Sequence, residues 1–334
     1  MTTDTALEPS SAAVASRPPL LRLARSSWFG PLAALLTAIV VFSLTTSTFS
    51  TLSNASLLME QSLVVGTLAL GQTLVILTAG IDLANAAIMV LGTLVIAKLA
   101  SGALPAPAAL AIGIVLCTAL GALSGTLVTW LRLPPFIVTL GVLSVLTAVS
   151  ELFANGQSFP VQSTLLTILG RRFYLFGQIE VTVGMGVMLA LIGLLWFALT
   201  QTAWGRNVFA VGDDTEAARL TGISTRRTVL SVYIVAGLLY GVAAWQALGR
   251  VPNADPNAFQ TGNLDSITAV VIGGTSLFGG RGGVPGTILG ALVMTVLANG
   301  LTQAGIDSLY QQVATGILVI TAVGVDRLVR RREA

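Results

Sequence analysis

Ten apolar runs, most of them close to twenty residues long, constrain this chain more than any other feature. The hydrocarbon core of a bilayer is about 30 Å thick, which an α-helix crosses in about twenty residues. Inside that core only helices and closed barrels satisfy their own backbone groups. The runs fall at 29–48, 61–79, 84–101, 107–130, 136–154, 181–200, 228–248, 263–278, 285–301 and 311–326. The fold they predict is an all-α integral membrane protein of about ten transmembrane helices. Two five-helix halves of opposite orientation would be compatible with an inverted repeat, although no similarity between the halves stands out in the sequence. The second, third, eighth and ninth runs are short and rich in glycine, so broken or re-entrant helices are expected there. Composition agrees: 9% of residues are charged, against about 25% in soluble domains, and the mean hydropathy is +0.88.

Positive charge orients the spans. With the amino terminus inside, the inner segments hold thirteen of the seventeen lysines and arginines, among them Arg132, Arg206, Arg219, Arg226, Arg227 and Arg281, with Arg17, Arg22 and Arg25 before the first run. Lys98, Arg171, Arg172 and Arg250 fall outside. The resulting division is a cytoplasmic tail at 1–27, a membrane domain at 28–326 with a cytoplasmic loop at 201–227, and a basic cytoplasmic tail at 327–334. No small-residue cleavage site follows the first run, which is expected to be a retained helix.

Chemistry of the usual catalytic kinds has few carriers. Histidine is absent and Cys117 is the single cysteine, so no metal site, disulfide framework or catalytic residue is predicted. A phosphate-binding G-x-x-x-x-G-K-[ST] loop is absent as well. Polar groups inside the apolar runs stand out, because hydrocarbon penalises them unless they find a partner or a wet cavity. Gln72, Thr73, Asp82, Asn85, Thr139 and Asn299 are the candidates to line a path, with Glu151 and Gln303 beside them. Interhelical hydrogen bonding would account equally for any one of them. Asp82 and Asp265 could instead cap the third and eighth spans. Glu151, near an outer helix end, is the only obvious acid within a span. In the long inner loop Asp213 is placed to cap a short helix at 214–221, with Glu216 completing a capping box and Gly222 ending it. Ala217 and Ala218 give that helix a small-residue face. Pro135 suits a helix start, and the external segment 155–180 reads as a packed loop or a docking surface. Gly273, Gly274, Gly279 and Gly280 suit close backbone approach and tight turns.

Four strings carry a family resemblance: Gly80-Ile81-Asp82-Leu83, Pro135 through Gly141, Glu216-Ala217-Ala218 with Gly222-Ile223, and Val271 through Gly280. Together, and in this order, they resemble the permease subunits of the ribose, xylose and arabinose class of bacterial ABC importers. The resemblance implies a homodimer in the cytoplasmic (inner) membrane, surrounded by lipid and without nucleic acid. It implies an extracytoplasmic sugar-binding protein that delivers substrate. A separate cytoplasmic subunit with the nucleotide-binding domains would use ATP and Mg, so this chain would bind no cofactor and hydrolyse nothing. Asp213, Asp214, Glu216, Ala217, Ala218, Arg219 and Gly222 would form the ATPase-coupling segment. The family's usual Ser-Val-Gly is replaced by Ala84-Asn85-Ala86, and its Gly-Gly-Asn by Gly212-Asp213-Asp214; the first change puts the identity of the sugar in question. A related permease for branched-chain amino acids and an ATPase-independent secondary transporter remain as alternatives.

Overall fold

The structure, a computed structural model, describes residues 29–102, 104–175 and 179–333. The expected amino-terminal tail lies outside the described residues. Among those described, thirteen α-helices follow one another: α1 (Phe29–Thr45), α2 (Leu52–Leu77), α3 (Asn85–Ser101), α4 (Ala106–Trp130), α5 (Pro135–Ala154), α6 (Thr164–Thr167), α7 (Val183–Gln201), α8 (Ala203–Asp213), α9 (Thr215–Leu220), α10 (Thr225–Arg250), α11 (Gly262–Ile272), α12 (Val284–Gln303) and α13 (Ser308–Glu333). Four short strands complete the fold. β1 (Phe159–Pro160) pairs antiparallel with β4 (Asn253–Ala254), and β2 (Arg172–Leu175) forms a hairpin with β3 (Ile179–Thr182).

Each of the ten expected segments is a helix, so the all-α membrane fold stands. Six helices, α2, α4, α5, α7, α10 and α12, are long and apolar enough to cross a membrane by themselves. Two expectations of short helices need correction. α2 begins at Leu52 rather than at 61, because Thr51 caps it by accepting from the Asn54 N–H at 3.2 Å. Its polar first turns, with Ser53, Asn54, Ser56 and Glu60, had masked the start. α12 is likewise a full twenty-residue helix. α3 and α11 are the short ones, at 17 and 11 residues.

The centre of the bundle is α2, which carries Leu68, Leu70, Leu74 and Ile76 with no exposure at all. α10 lies between α2 and α4. Lipid tails are as apolar as leucine, so such helices associate through close packing rather than through hydrophobic burial. Gly121 of α4 shows how close: a Cβ there would stand 2.5 Å from the Tyr233 carbonyl oxygen on α10. Helices at the rim turn apolar side chains outward instead, as with Val115, Val145 and Leu189 at 65%, 60% and 68% exposure. That is the pattern of a lipid-facing surface.

The two ends of the bundle differ. One end carries the β2–β3 hairpin, whose Arg172 reaches Glu60 at 2.9 Å and Glu180 at 3.3 Å. The expected external loop is thus a hairpin with a strand pair and a short helix. The other end carries α8 and α9, so the 201–227 segment is two helices rather than one helix in a loop. α8 buries Val208 and Val211 against the bundle.

Candidate functional site

α2 ends at Leu77, and the chain turns through residues 78–84 before re-entering the bundle as α3. α11 starts after the non-helical segment that follows β4. The two short helices meet by their amino-terminal ends. Asn85 Nδ2 donates to Ser266 Oγ at 2.7 Å, and Asn263 Nδ2 donates to the Leu83 carbonyl at 3.3 Å. The Gln72 amide, turned so that both its groups are satisfied, donates to the Asp82 carbonyl at 2.9 Å and accepts from the Asp82 N–H at 3.2 Å. Thr139 Oγ1 lies 3.0 Å from the Ile81 carbonyl, and Thr73 Oγ1 pairs with Thr287 Oγ1 of α12 at 2.6 Å. Four of the six path candidates, Gln72, Asp82, Asn85 and Thr139, therefore sit around one turn of chain, with Thr73 one residue along from Gln72. All five are fully buried.

Asp82 does not cap α3. Its Oδ1 accepts from the Ala84 N–H at 2.8 Å, before the helix begins, and its Oδ2 accepts from the Tyr240 hydroxyl at 3.0 Å. The carboxylate therefore pins the turn to α10. Asn85 serves the helix start itself, its Oδ1 accepting from the Ala86 N–H. Asp265 is also no cap: it lies inside the first turn of α11 and accepts from the Thr261 hydroxyl at 3.1 Å. Asp82, unlike Glu151, is fully enclosed within the bundle. Pro135 occupies the first turn of α5, as its missing N–H favours.

Below this junction three pieces of main chain interlock. Gly280 donates its N–H to the Leu77 carbonyl at 3.1 Å, across 203 positions of sequence. A Cβ on Gly212, at the end of α8, would stand 1.7 Å from that same oxygen, and one on Gly280 would stand 2.8 Å from the Asp213 Cα. Gly274, Gly279 and Gly280 all have positive φ, at 81°, 86° and 70°, which lets the chain reverse between α11 and α12. Gly273 packs on Gly286, where a Cβ would meet the carbonyl oxygen at 2.4 Å. Each of the four glycines singled out in the sequence is thus a turn or a contact position.

α9 leads out of this clamp. Asp214, not Asp213, caps it: Asp213 closes α8, while Asp214 is extended and its Oδ1 accepts from the Glu216 and Ala217 N–H groups at 2.9 Å each. The capping box does not form, because Glu216 turns to Arg219 at 3.2 Å. That hydrogen bond and its accompanying charge raise the Arg219 pKa above its ordinary value. Gly222, at φ 87°, ends α9 with the paired bonds Gly222 N–H to Arg219 and Ile223 N–H to Ala218. The small-residue face is also corrected, since Ala218 is 4% exposed and packs inward. The outward face carries Ala217, Glu216 and Leu220, the last at 79% exposure. Leu220 was missed; an aliphatic residue between a charged pair and a helix stop was the available signal.

Asn299 lies apart, toward the hairpin end. Gln303 Nε2 donates to Asn299 at 3.0 Å and to Asn54 at 2.6 Å, while Thr48 donates to Gln303 at 2.6 Å. Beside them opens a cavity of about 410 Å³ lined by Gln61, Arg250, Asp265, Thr295 and Thr302 among others. Asn54 escaped notice because the start of α2 had been set at 61.

The described residues thus form a helical membrane bundle with the Gln72, Asn85 and Asn299 amides hydrogen-bonded inside it and with the exposed helix α9 tied to the core through the main chain at the end of α8, an arrangement that suits a transport permease. The chain belongs to the family described as "Branched-chain amino acid transport system / permease component", which it matches over residues 54–323. It is 40% identical over 285 residues to the fructose import permease protein FrcC of Rhizobium meliloti, covering 84% of this chain and 79% of that one. It is 36% identical to the ribose import permease protein RbsC of Escherichia coli, over 88% and 92% of the two chains. Identity to the D-allose transport system permease protein AlsC of Escherichia coli is 34%, over 86% and 88%. No solved structure matches the chain.

Proposed function

We infer that this chain is the membrane-spanning permease subunit of an ABC importer for a monosaccharide. It works as a homodimer in the bacterial cytoplasmic membrane, with a cytoplasmic ATPase below and an extracytoplasmic sugar-binding protein above. Relatives named for fructose, ribose and allose, each aligned over more than four fifths of this chain, favour a sugar over an amino acid.

The observation that carries the coupling role is the interlock of Gly212, Leu77 and Gly280. It leaves no compressible side chain between α9 and the turn that holds Asp82. Closure of the ATPase against Ala217 and Leu220 would displace α8 and, through Leu77 and Gly280, the segments flanking α3 and α11. Those helix ends meet at Asn85 and Ser266, so their separation would open the bundle to one side. ATP and Mg belong to the partner, since this chain has no phosphate-binding loop.

The charge asymmetry puts α9 and both termini in the cytoplasm. With Cys117 replaced by alanine, a cysteine at exposed Thr221 is expected to resist an impermeant external thiol reagent in intact cells, and one at exposed Gln162 to react. The decisive experiment reconstitutes the complex and follows uptake of radiolabelled ribose, fructose, allose and leucine. ATP-dependent sugar uptake supports the proposal. Leucine uptake instead would favour the amino acid alternative, and ATP-independent uptake by the isolated chain a secondary transporter.

A further inference from the structure

A second cavity, of about 550 Å³, lies between α3, α5 and the segment that enters α11. Its size falls within the range of small-molecule sites, about 300–1,000 Å³. Ser144, Thr147 and Ser150 line one wall, recurring every three residues along α5; Gln260 and Asn263 also line the cavity, and Phe259 contributes an aromatic surface.

Ser150 is the telling residue. It is 2% exposed, and its Oγ has no hydrogen-bond partner. An unsatisfied buried hydroxyl costs stability, by about 1–3 kcal/mol in mutational comparisons, and persists where a ligand or water completes it. Ser144 and Thr147 are exposed on the same face; Ser144 bonds back to the Leu140 carbonyl, and hydrocarbon would offer the Thr147 hydroxyl no partner outside its own helix. A wet passage rather than lipid fits that wall. Phe259, which lines the cavity, holds a left-handed backbone at φ 55°, a conformation uncommon outside glycine.

Among the described residues, no charged side chain lines this cavity. A zwitterion such as an amino acid would be left there without partners for either charge, whereas an uncharged polyol finds hydroxyls, amides and an aromatic face. We propose that this cavity is a sugar-contact station of the translocation path, in which Ser150 and Thr147 hydrogen-bond the hydroxyls of a neutral monosaccharide and Phe259 packs against its apolar face. The proposal rests on the reading of the chain as a sugar permease and adds the site and its residues.

The test uses the complete importer in permeabilised membranes, with Cys117→Ala as background and Thr147→Cys, Ser150→Cys and Val145→Cys as reporters. The probe is a charged methanethiosulfonate, with D-ribose, D-fructose and D-allose as protectants. Thr147→Cys is expected to react and to be slowed at least about threefold by whichever of these sugars the importer carries. Val145→Cys, on the exposed apolar face of α5, is expected to stay unlabelled. Ser150→Ala removes a hydroxyl that bonds nothing within the chain, so melting and expression should hold while uptake falls about 3- to 10-fold, the loss of one hydrogen bond. If the importer carries a sugar and Thr147→Cys is unlabelled, or is labelled without protection, the station is wrong and the permease reading survives. Unchanged uptake in Ser150→Ala would likewise remove Ser150 from it. If the intact importer carries no sugar, both inferences fall.

Discussion

At the α9 end of the bundle main chain packs on main chain, whereas toward the hairpin end side chain meets side chain. Gly212, Leu77 and Gly280 touch through carbonyls and N–H groups, with no room for a methyl. Asn54, Asn299, Gln303 and Thr48 touch through flexible amides and hydroxyls, beside an open cavity. The first arrangement transmits displacement, because packed backbone cannot deform gradually. The second can exchange its hydrogen bonds with water or with a hydroxylated solute at little cost. On the proposed function, force and solute would be handled at opposite ends by different materials.

Substitution at the clamp offers the hardest test of that contrast. Gly212→Ala is expected to abolish uptake and to lower stability by about 1–3 kcal/mol, the usual cost of overpacking, read by thermal denaturation in detergent. Gly141→Ala and Gly186→Ala, where a Cβ would meet nothing within 4 Å, are expected to be neutral. A clamp that accepts the methyl without loss of uptake would mean that the interlock transmits nothing.

Next in size is the double change Ala217→Arg with Leu220→Arg. Both side chains point outward, so insertion and melting should be preserved while ATPase copurification and uptake fall together. Normal uptake with the ATPase retained would reduce α9 to a connector. Replacing Ala218 would be a poorer test, since its burial would confound docking with folding.

Gln303→Ala should do less. It removes the bonds to Thr48, Asn54 and Asn299, but these groups border a cavity, and a net loss of about 1 kcal/mol is expected. A loss as large as that at Gly212 would erase the proposed difference between the ends. Smallest is Glu216→Lys, which breaks the exposed pair with Arg219 and opposes the helix dipole in the first turn. Copurification of the ATPase should fall only in part, and insertion not at all.

The helices were legible wherever hydropathy alone identifies them. The start of α2 was hidden because Ser53, Asn54, Ser56 and Glu60 belong to the helix yet read as a polar loop. The α9 cap was misplaced by one residue, since two consecutive aspartates offer the same local chemistry and only the path of α8 decides which of them is free. Gln72, Asp82, Asn85 and Thr139 were recognisable as polar groups needing partners. Their convergence on one turn was not recognisable, because the partners Tyr240 and Ser266 lie far off in sequence. Ser144, Thr147 and Ser150 passed unnoticed because isolated hydroxyls can bond back to their own helix, as Ser144 does to the Leu140 carbonyl.

From sequence alone follow the membrane as solvent, the all-helical response to it, the charge asymmetry and the glycine-rich turns, because each depends on the bilayer or on neighbouring residues. The tertiary structure decided which carboxylate caps, which glycines touch, and which hydroxyls face a cavity. Those outcomes depend on contacts between segments far apart in sequence, such as Leu77 and Gly280, and a backbone oxygen such as that of Leu77 carries no trace in its own side chain of the glycine that will close on it.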